Sequence, residues 1–382
     1  MSSFAEFFAG IGLVREAVEP LGWHCAFAND IAPEKAEMYR ARFGGDHLLV
    51  ADVREVAVDD LPADIGLATA SFPCIDLSLA GNRAGLAGQH SGTVWPFLEL
   101  VAGLCQQGSA PKALLFENVT GFLTSHRGQD LGNVCERLAK LGYSQDITLV
   151  DARWFVPQSR PRLFVLAVRH DLLPHALPLS GDLTRLRPRA IRDFQLRHPD
   201  LPFVELPLPE PPLRCSTTLA SILEDIPVDS SLWWSPERVS ETVHAMNPRH
   251  RSKVDELRRG CREGVGTMFR RVRNGKTVGE LRDDCIAGCL RTPQGGSSVQ
   301  FLVDTRQSQL RIRPLTGLEY ARLQGARDYP INVGRRQAQL GFGDAVCVPA
   351  VRWLVDHAFG FILGERPSPM SDQLDFPQRV AA

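Results

Sequence analysis

The sequence predicts an α/β protein, an open and mostly parallel sheet wrapped by helices and joined to a second, smaller domain. Through the first 170 residues, short apolar runs alternate with segments whose apolar residues recur at helical spacing. The runs end in glycines, acids or a cysteine, residue types that build sites at the carboxyl edge of such sheets. At 382 residues the chain also exceeds what one hydrophobic core usually supports.

Composition narrows the classes. With 44% hydrophobic and 23% charged residues the chain is an ordinary globular protein. A net charge of -1 excludes a uniformly basic coat and leaves a local patch open. The nine cysteines are scattered, odd in number and form no Cys-x-x-Cys pair, so neither a disulfide framework nor a zinc site is signalled and no metal is expected. The N-terminus lacks a basic start with a long apolar core, and no uncharged apolar run reaches the roughly 18 residues of a membrane span. The expected setting is the cytoplasm, with no membrane partner.

In order, Phe4 to Phe8 is a strand running into the turn Ala9-Gly10-Ile11-Gly12, and a helix with Val14, Ala17, Val18 and Leu21 on one face follows. A strand, a Gly-x-Gly turn and a helix bring backbone amides close to a ligand, or make only a tight turn. The strand His24–Ala28 ends in Asn29-Asp30, about 20 residues on, where a carboxylate can accept ribose hydroxyls or simply cap the next helix before Pro33. A third strand, residues 47–51, ends in Asp52. The run Asp64–Ala70 delivers Phe72-Pro73-Cys74, the proline fixing the direction of exit. Cys74 is either a packed thiol or a nucleophile. Residues 81–92 carry four glycines with Arg83, Gln89, His90 and Ser91, and read as a movable lid beside Cys74 or a solvated connector.

The strand Lys112–Phe116 delivers Glu117-Asn118-Val119, and a glutamate in a partly desolvated cleft can share a proton with a ring nitrogen, or be a structural carboxylate. Strands 143–152 and 162–169 flank Gln158-Ser159-Arg160-Pro161-Arg162, whose alternation sends three polar heads to one face.

At this point the chain resembles the bacterial DNA cytosine-5 methyltransferases. Phe8-Ala9-Gly10-x-Gly12, Pro73-Cys74 with Ser78, Glu117-Asn118-Val119 and Gln158-x-Arg160-x-Arg162 stand in that family's order. So do Arg313-Pro314-Leu315-Thr316 with Glu319, Arg322-Leu323-Gln324-Gly325, and Gly343-Asp344-Ala345-Val346 with Pro349. The resemblance implies a Rossmann-like class I methyltransferase sheet, with S-adenosylmethionine as cofactor and duplex DNA as substrate. It implies Cys74, Glu117, Arg160 and Arg162 as the catalytic set, Arg160 and Asn118 holding neighbouring groups. Cofactor contacts are implied for Phe8, Gly10, Gly12, Asp30, Ile31, Asp52, Val53, Phe72, Asp344 and Ala345. The sequence departs from the family at Leu13, Ile75 and Asp344, the last an acid where asparagine is usual and where it would repel the donor's carboxylate unless turned away or protonated.

The middle differs in kind. Six prolines between residues 199 and 213 read as a semi-rigid connector. From Arg249 to Lys276 ten Arg or Lys face three Asp or Glu, which is either a solvated face or a footprint for phosphates. The resemblance places a target-recognition domain here, so Arg270, Arg271, Arg273, Gly295, Gly296 and Ser297 join Arg83, Ser91 and Gln158 as expected DNA contacts. Domain limits follow as 1–170 for catalysis and donor binding, 171–325 for target recognition, 326–366 for the return to the catalytic domain, and 367–382 for a flexible tail. The expected protein is a monomer, working alone or beside a restriction or phage-defence system. A tRNA cytosine methyltransferase of the same fold is the alternative, but its Cys-Phe-Thr signature is missing. A non-catalytic DNA-binding protein fits poorly with intact Cys74 and Glu117, and the Asp/Asn-Pro-Pro-aromatic signature that amino-group methyltransferases would carry in place of Pro73-Cys74 is absent.

Overall fold

The computed structural model describes residues 2–77, 85–173, 179–273, 275–292, 299–307 and 309–360. The first sheet has seven strands, β1 (Ser3–Phe7), β2 (His24–Asp30), β3 (Leu48–Val50), β4 (Leu67–Ala70), β5 (Ala113–Val119), β6 (Tyr143–Asp151) and β7 (Pro161–Arg169). Their order is β3-β2-β1-β4-β5-β7-β6, with only β7 running against its neighbours. Strand order therefore reverses between β1 and β4, the position where open α/β sheets part to admit ligands. The turn after β1 and Cys74 after β4 flank that gap. Because β7 is antiparallel, its first residues return to the same edge, and Arg162 stands opposite Val119.

Apolar residues on both faces of the parallel strands account for the two cores. One joins Phe4, Leu67, Leu115 and Phe164 to the helices Leu13–Val18 and Val348–Ala358; the other joins Phe7, Ala68, Phe97 and Phe116 to the helices Val94–Gln106 and Gln129–Lys140. The C-terminal helix closes the first core from the far end of the chain, Arg352 donating to the carbonyls of Glu16 and Ala17 at 3.0 and 3.2 Å.

A second, antiparallel sheet is formed by β8 (Val265–Arg273), β9 (Lys276–Arg282), β10 (Gln300–Asp304) and β11 (Arg311–Pro314), in the order β11-β10-β8-β9. Helices Pro236–Ala245 and Pro248–Arg258 cover one face through Val239, Met246, Val254, Leu257, Met268, Phe301 and Ile312. This unit is narrower than residues 171–325. Ile191 and Phe194 of the helix Arg189–Arg197 sit in the catalytic core, and Val204 and Leu206 pack beside β6. Leu315, Tyr320 and Leu323 belong to that core as well. The proline-rich stretch thus begins along the edge of the first sheet, because its alternate apolar residues are buried there. Among the described residues no helix is long and apolar enough to cross a membrane.

One buried acid sets the geometry of the first turn. Glu6, in the middle of β1, accepts the backbone N–H of Arg15 at 3.2 Å from the start of the first helix, while its other oxygen has no partner. Burial pushes its carboxyl up to about 8, against the opposing pull of the Arg15 and Val14 amides. The folded protein therefore holds a proton that the unfolded chain releases near pH 4.5, and stability falls as pH rises from there to about 8. The neutral isostere Glu6→Gln escapes this loss. Its stability relative to the parent is expected to climb between pH 5 and pH 8, by on the order of a few kcal/mol, measured by thermal denaturation of both proteins across that range.

Candidate active site

Cys74 follows β4 on a turn held from several directions. Ser91 Oγ donates to the Pro73 carbonyl at 2.7 Å and faces the Asp76 N–H, while Asp76 accepts the N–H groups of His90 and Ser91 at 3.1 and 2.8 Å. Asn118 donates to the Phe72 carbonyl at 3.1 Å, and the Phe72 ring meets Phe122 edge-on. Ser91 is fully buried, so it braces the nucleophile turn and is not the DNA contact expected of it. Leu86 is buried too, so residues 85–92 fold down onto the domain, contrary to a wholly solvated loop. Ser78, Arg83, Gly295, Gly296 and Ser297, and the tail from residue 361, lie outside the described residues.

Glu117 and Arg162 form the polar wall opposite Cys74. Glu117 pairs with Phe164 in the ladder, so Arg162, two residues before Phe164, shares its face as a diagonal neighbour. Glu117 Oε1 lies 2.9 Å from Arg162 Nε. That N–H is not aimed at it, however, and the oxygen accepts no hydrogen bond, which leaves it free for an incoming donor. Burial raises the Cys74 thiol above its ordinary value, Arg162 and Arg160 drawing it down and Glu117 pushing it up. At rest Cys74 is a thiol.

The alternation at 158, 160 and 162 does send three heads to one side, and protein occupies that side. Residues 287–290 lie along 157–160, with Ser159 donating to the Ala287 carbonyl and Ala287 to the Pro157 carbonyl. Gln158 is fully buried, accepting from Leu290 N–H at 3.0 Å and donating to the Leu323 carbonyl at 2.8 Å. It is a structural bridge and not a DNA contact, because both ends of its amide are engaged. Arg160 is also buried and donates to the carbonyls of Leu290, Gly343 and Asp344 at 3.0, 3.3 and 3.2 Å. Its guanidinium fastens two distant segments and is engaged by their carbonyls.

The same crossing brings in a residue that sequence reasoning missed. Cys289 Sγ lies 3.5 Å from Arg160 Nη1 and 3.7 Å from Arg162 Nη2. Burial alone would raise its thiol, but Arg162 and Arg160 outweigh burial and hold it below its ordinary value. No local motif marks Cys289; its arginine partners are 129 and 127 residues away.

On the other side of the gap, Phe8 adopts φ +57° and Gly10 the same value. Asp30 fixes that turn, its two oxygens accepting Gly10 N–H at 2.7 Å and Ala32 N–H at 2.8 Å. Ile31 beside it is 63% exposed, and Val53 is buried. Asp52 caps the turn after β3 and pairs with Arg54 at 2.8 Å. Gly12 is glycine for packing, since a Cβ there would lie 2.6 Å from the Phe43 ring. Asp344, the unusual acid, pairs with Lys35 at 2.8 Å, and the Ala345 carbonyl accepts from Gln324.

On β8 the three candidate arginines divide. Arg270 turns to the helix-covered face and stacks on Phe301 at 5.1 Å, so it stands apart from the other two. Arg271 and Arg273 share Glu280 on the opposite face, at 3.5 and 2.8 Å, leaving one cation in excess. That face adjoins the site, because the Phe269 ring lies against Gly288 so closely that a Cβ there would be 2.4 Å away.

Comparison with known proteins is consistent throughout. The model of the family described as C-5 cytosine-specific DNA methylase matches residues 2–359. Type II methyltransferase M.HpaII of Haemophilus parainfluenzae is 26% identical over 368 residues, 92% of this chain and 87% of its own length. Type II methyltransferase M.NlaX of Neisseria lactamica is 25% identical over 93% of this chain and 96% of its own. Among solved structures, the S. pombe Dnmt2 methyltransferase superposes with a TM-score of 0.60 at 19% identity, covering 93% of this chain and 97% of that one, which shows a shared fold.

Two measurements test this geometry. Gln158→Ala strands a buried N–H and carbonyl, and is expected to cost about 2–4 kcal/mol in denaturant titration; a surface contact residue would cost almost nothing. Alkylation of Cys74 by iodoacetamide, followed by peptide mass spectrometry, is expected to keep quickening from pH 7 to pH 9 without a plateau.

Proposed function

The chain belongs to the C-5 cytosine-specific DNA methylase family, and from that premise we propose that Cys74 attacks carbon 6 of a cytosine rotated out of duplex DNA while S-adenosylmethionine supplies the methyl group to carbon 5. The protein is a methyltransferase acting on DNA cytosine; the donor, the residues and the duplex target are the proposed part. The observation that carries the reading is the meeting of Cys74, Glu117 and Arg162 at one strand edge, with their charges acting on one another.

The residues across the gap suit a nucleoside donor. Exposed Ile31 and half-buried Phe8 offer apolar surface to a base, Val53 and Phe72 being buried, and each oxygen of Asp30 keeps a second lone pair for a ribose hydroxyl. The turn Phe8–Gly12, Asp52, and Asp344 with Ala345 complete the set. When bound, the donor's sulfonium presents an electrophilic methyl.

The remaining chemistry belongs to the chain. Cytosine is too poor a nucleophile at carbon 5 until a thiolate adds to carbon 6. The Cys74 thiol gives up its proton to solvent, the sulfur–carbon 6 bond forms as the ring double bond opens, and the electron density reaches carbon 5 and the carbonyl oxygen. Glu117 bonds or protonates ring nitrogen 3, a lone-pair acceptor in neutral cytosine, through a carboxyl O–H at the oxygen that lacks a hydrogen bond in the free protein. Arg162, already charged and half-buried, faces the negative oxygen. After methyl transfer, loss of the carbon 5 proton and cleavage of the sulfur–carbon bond restore the ring and the thiol. Rotating the base out costs a few kcal/mol, which contacts along the basic face offset. Arg271 and Arg273 are the proposed phosphate contacts there, supported by their shared single carboxylate.

The relatives named type II methyltransferases support pairing with a restriction or defence system in a bacterial cytosol. The tRNA alternative is favoured by nothing at the site. The decisive experiment uses duplex DNA containing 5-fluorocytosine, whose carbon 5 cannot lose its substituent after methylation. A denaturant-stable protein–DNA adduct is expected with S-adenosylmethionine and none with Cys74→Ser; a full yield of adduct from the serine protein would remove Cys74 from the mechanism.

A further inference from the structure

We propose that Arg54 is a positioning residue that ties the donor half of the site to the nucleophile turn, so that an occupied donor pocket steadies Cys74. The inference rests on the donor reading above, in which Asp52 meets the donor. Arg54 curls back onto that acid, its backbone N–H donating to Asp52 Oδ1 at 2.9 Å and its Nη1 to Oδ2 at 2.8 Å. The same guanidinium reaches the other way, Nη2 donating to the Gln89 carbonyl at 2.9 Å. Gln89 is 35 residues further on, in the segment 85–92 that folds against the nucleophile turn.

From Gln89 the connection continues through the next two amides. His90 and Ser91 both donate to Asp76 Oδ2, and Gly85 N–H donates to the Asp76 carbonyl at 3.2 Å, so Asp76 fastens both ends of the segment. Gly88 shows how closely the two lie, as a Cβ there would fall 2.3 Å from the Asp76 carboxyl carbon. Asp76 is buried two residues after Cys74, and Ser91 Oγ holds the carbonyl of Pro73, the residue before it. The two ends of this connection differ in firmness. Around Asp76 the contacts are buried, whereas the Arg54 and Asp52 side chains are 43% and 25% exposed, and an exposed ion pair is held weakly. A donor that hydrogen-bonds to Asp52 orders the carboxylate, so Arg54 has less freedom left to lose in keeping its hold on Gln89. By linkage the coupling runs both ways.

Amide hydrogen exchange of the full-length protein, with and without S-adenosylhomocysteine, tests this. In the parent, S-adenosylhomocysteine is expected to slow exchange in residues 85–92 about three-fold or more. In Arg54→Met, exchange there is expected to be faster in the free protein and to gain almost nothing from S-adenosylhomocysteine, whose affinity by calorimetry stays within about three-fold of the parent's. Methyl transfer to duplex DNA is expected to lose about ten-fold in kcat with the donor KM little changed. Arg54→Lys keeps the charge but not the fork that spans both acceptors, and is expected to behave like Arg54→Met. Slowing by S-adenosylhomocysteine that survives in Arg54→Met, or a rise in donor KM with kcat intact, would overturn the proposal. A parent that binds S-adenosylhomocysteine with no slowing of exchange sinks the coupling alone, whereas a parent that does not bind it sinks the donor reading as well.

Discussion

A buried guanidinium held mainly by backbone carbonyls is the constraint on which this site depends. Arg160 sits in a low-dielectric interior, where an unpaired charge would cost several kcal/mol. The available acceptors are the carbonyls of Leu290, Gly343 and Asp344, drawn from two distant stretches of chain. Satisfying Arg160 therefore fastens the stem that follows the second sheet, and the turn bearing Asp344, to the strand that carries Arg162. Gly343 shows how tight the junction is, as a Cβ there would fall 2.6 Å from the Arg291 carbonyl. Gln158 and Gln324 reinforce it, relaying hydrogen bonds from the Leu290 amide to the Leu323 and Ala345 carbonyls.

Around that junction the electrostatics separate two thiols. Cys74 and Cys289 share the same arginines and differ in how burial and charge balance. Cys289, at hydrogen-bond distance from both guanidinium groups, is held low, while Cys74 stays high. The nucleophile is thus kept protonated until something else enters the cleft, which limits its loss to stray electrophiles.

The strand ends were legible in the sequence because each rests on local rules. Apolar runs bounded by glycine or proline gave β1, β4 and β5, and with them the places of Gly10, Cys74 and Glu117. The roles of Ser91 and Gln158 were not legible. Spacing says which side chains share a face, but what that face meets depends on residues 287–290 and 323–324, which no local window contains. The same holds for Cys289 and for the cation that answers Asp344. Proline content likewise suggested a connector, when alternate apolar residues in that stretch were enough to lay its first part against β6.

The chain closes on itself. Tyr329 donates to the carbonyls of Ile11 and Met38 at 2.7 and 2.9 Å, and Arg352 reaches back to the first helix. During synthesis, then, the glycine turn emerges first and is completed last, after the whole intervening domain has been made. Contacts of such long range slow folding and leave the half-built sheet with an uncovered face. A ribosome-bound fragment ending before residue 320 would carry the nucleophile and its acid without the Gly343 and Asp344 carbonyls that anchor Arg160 or the helix that reaches back to the first turn.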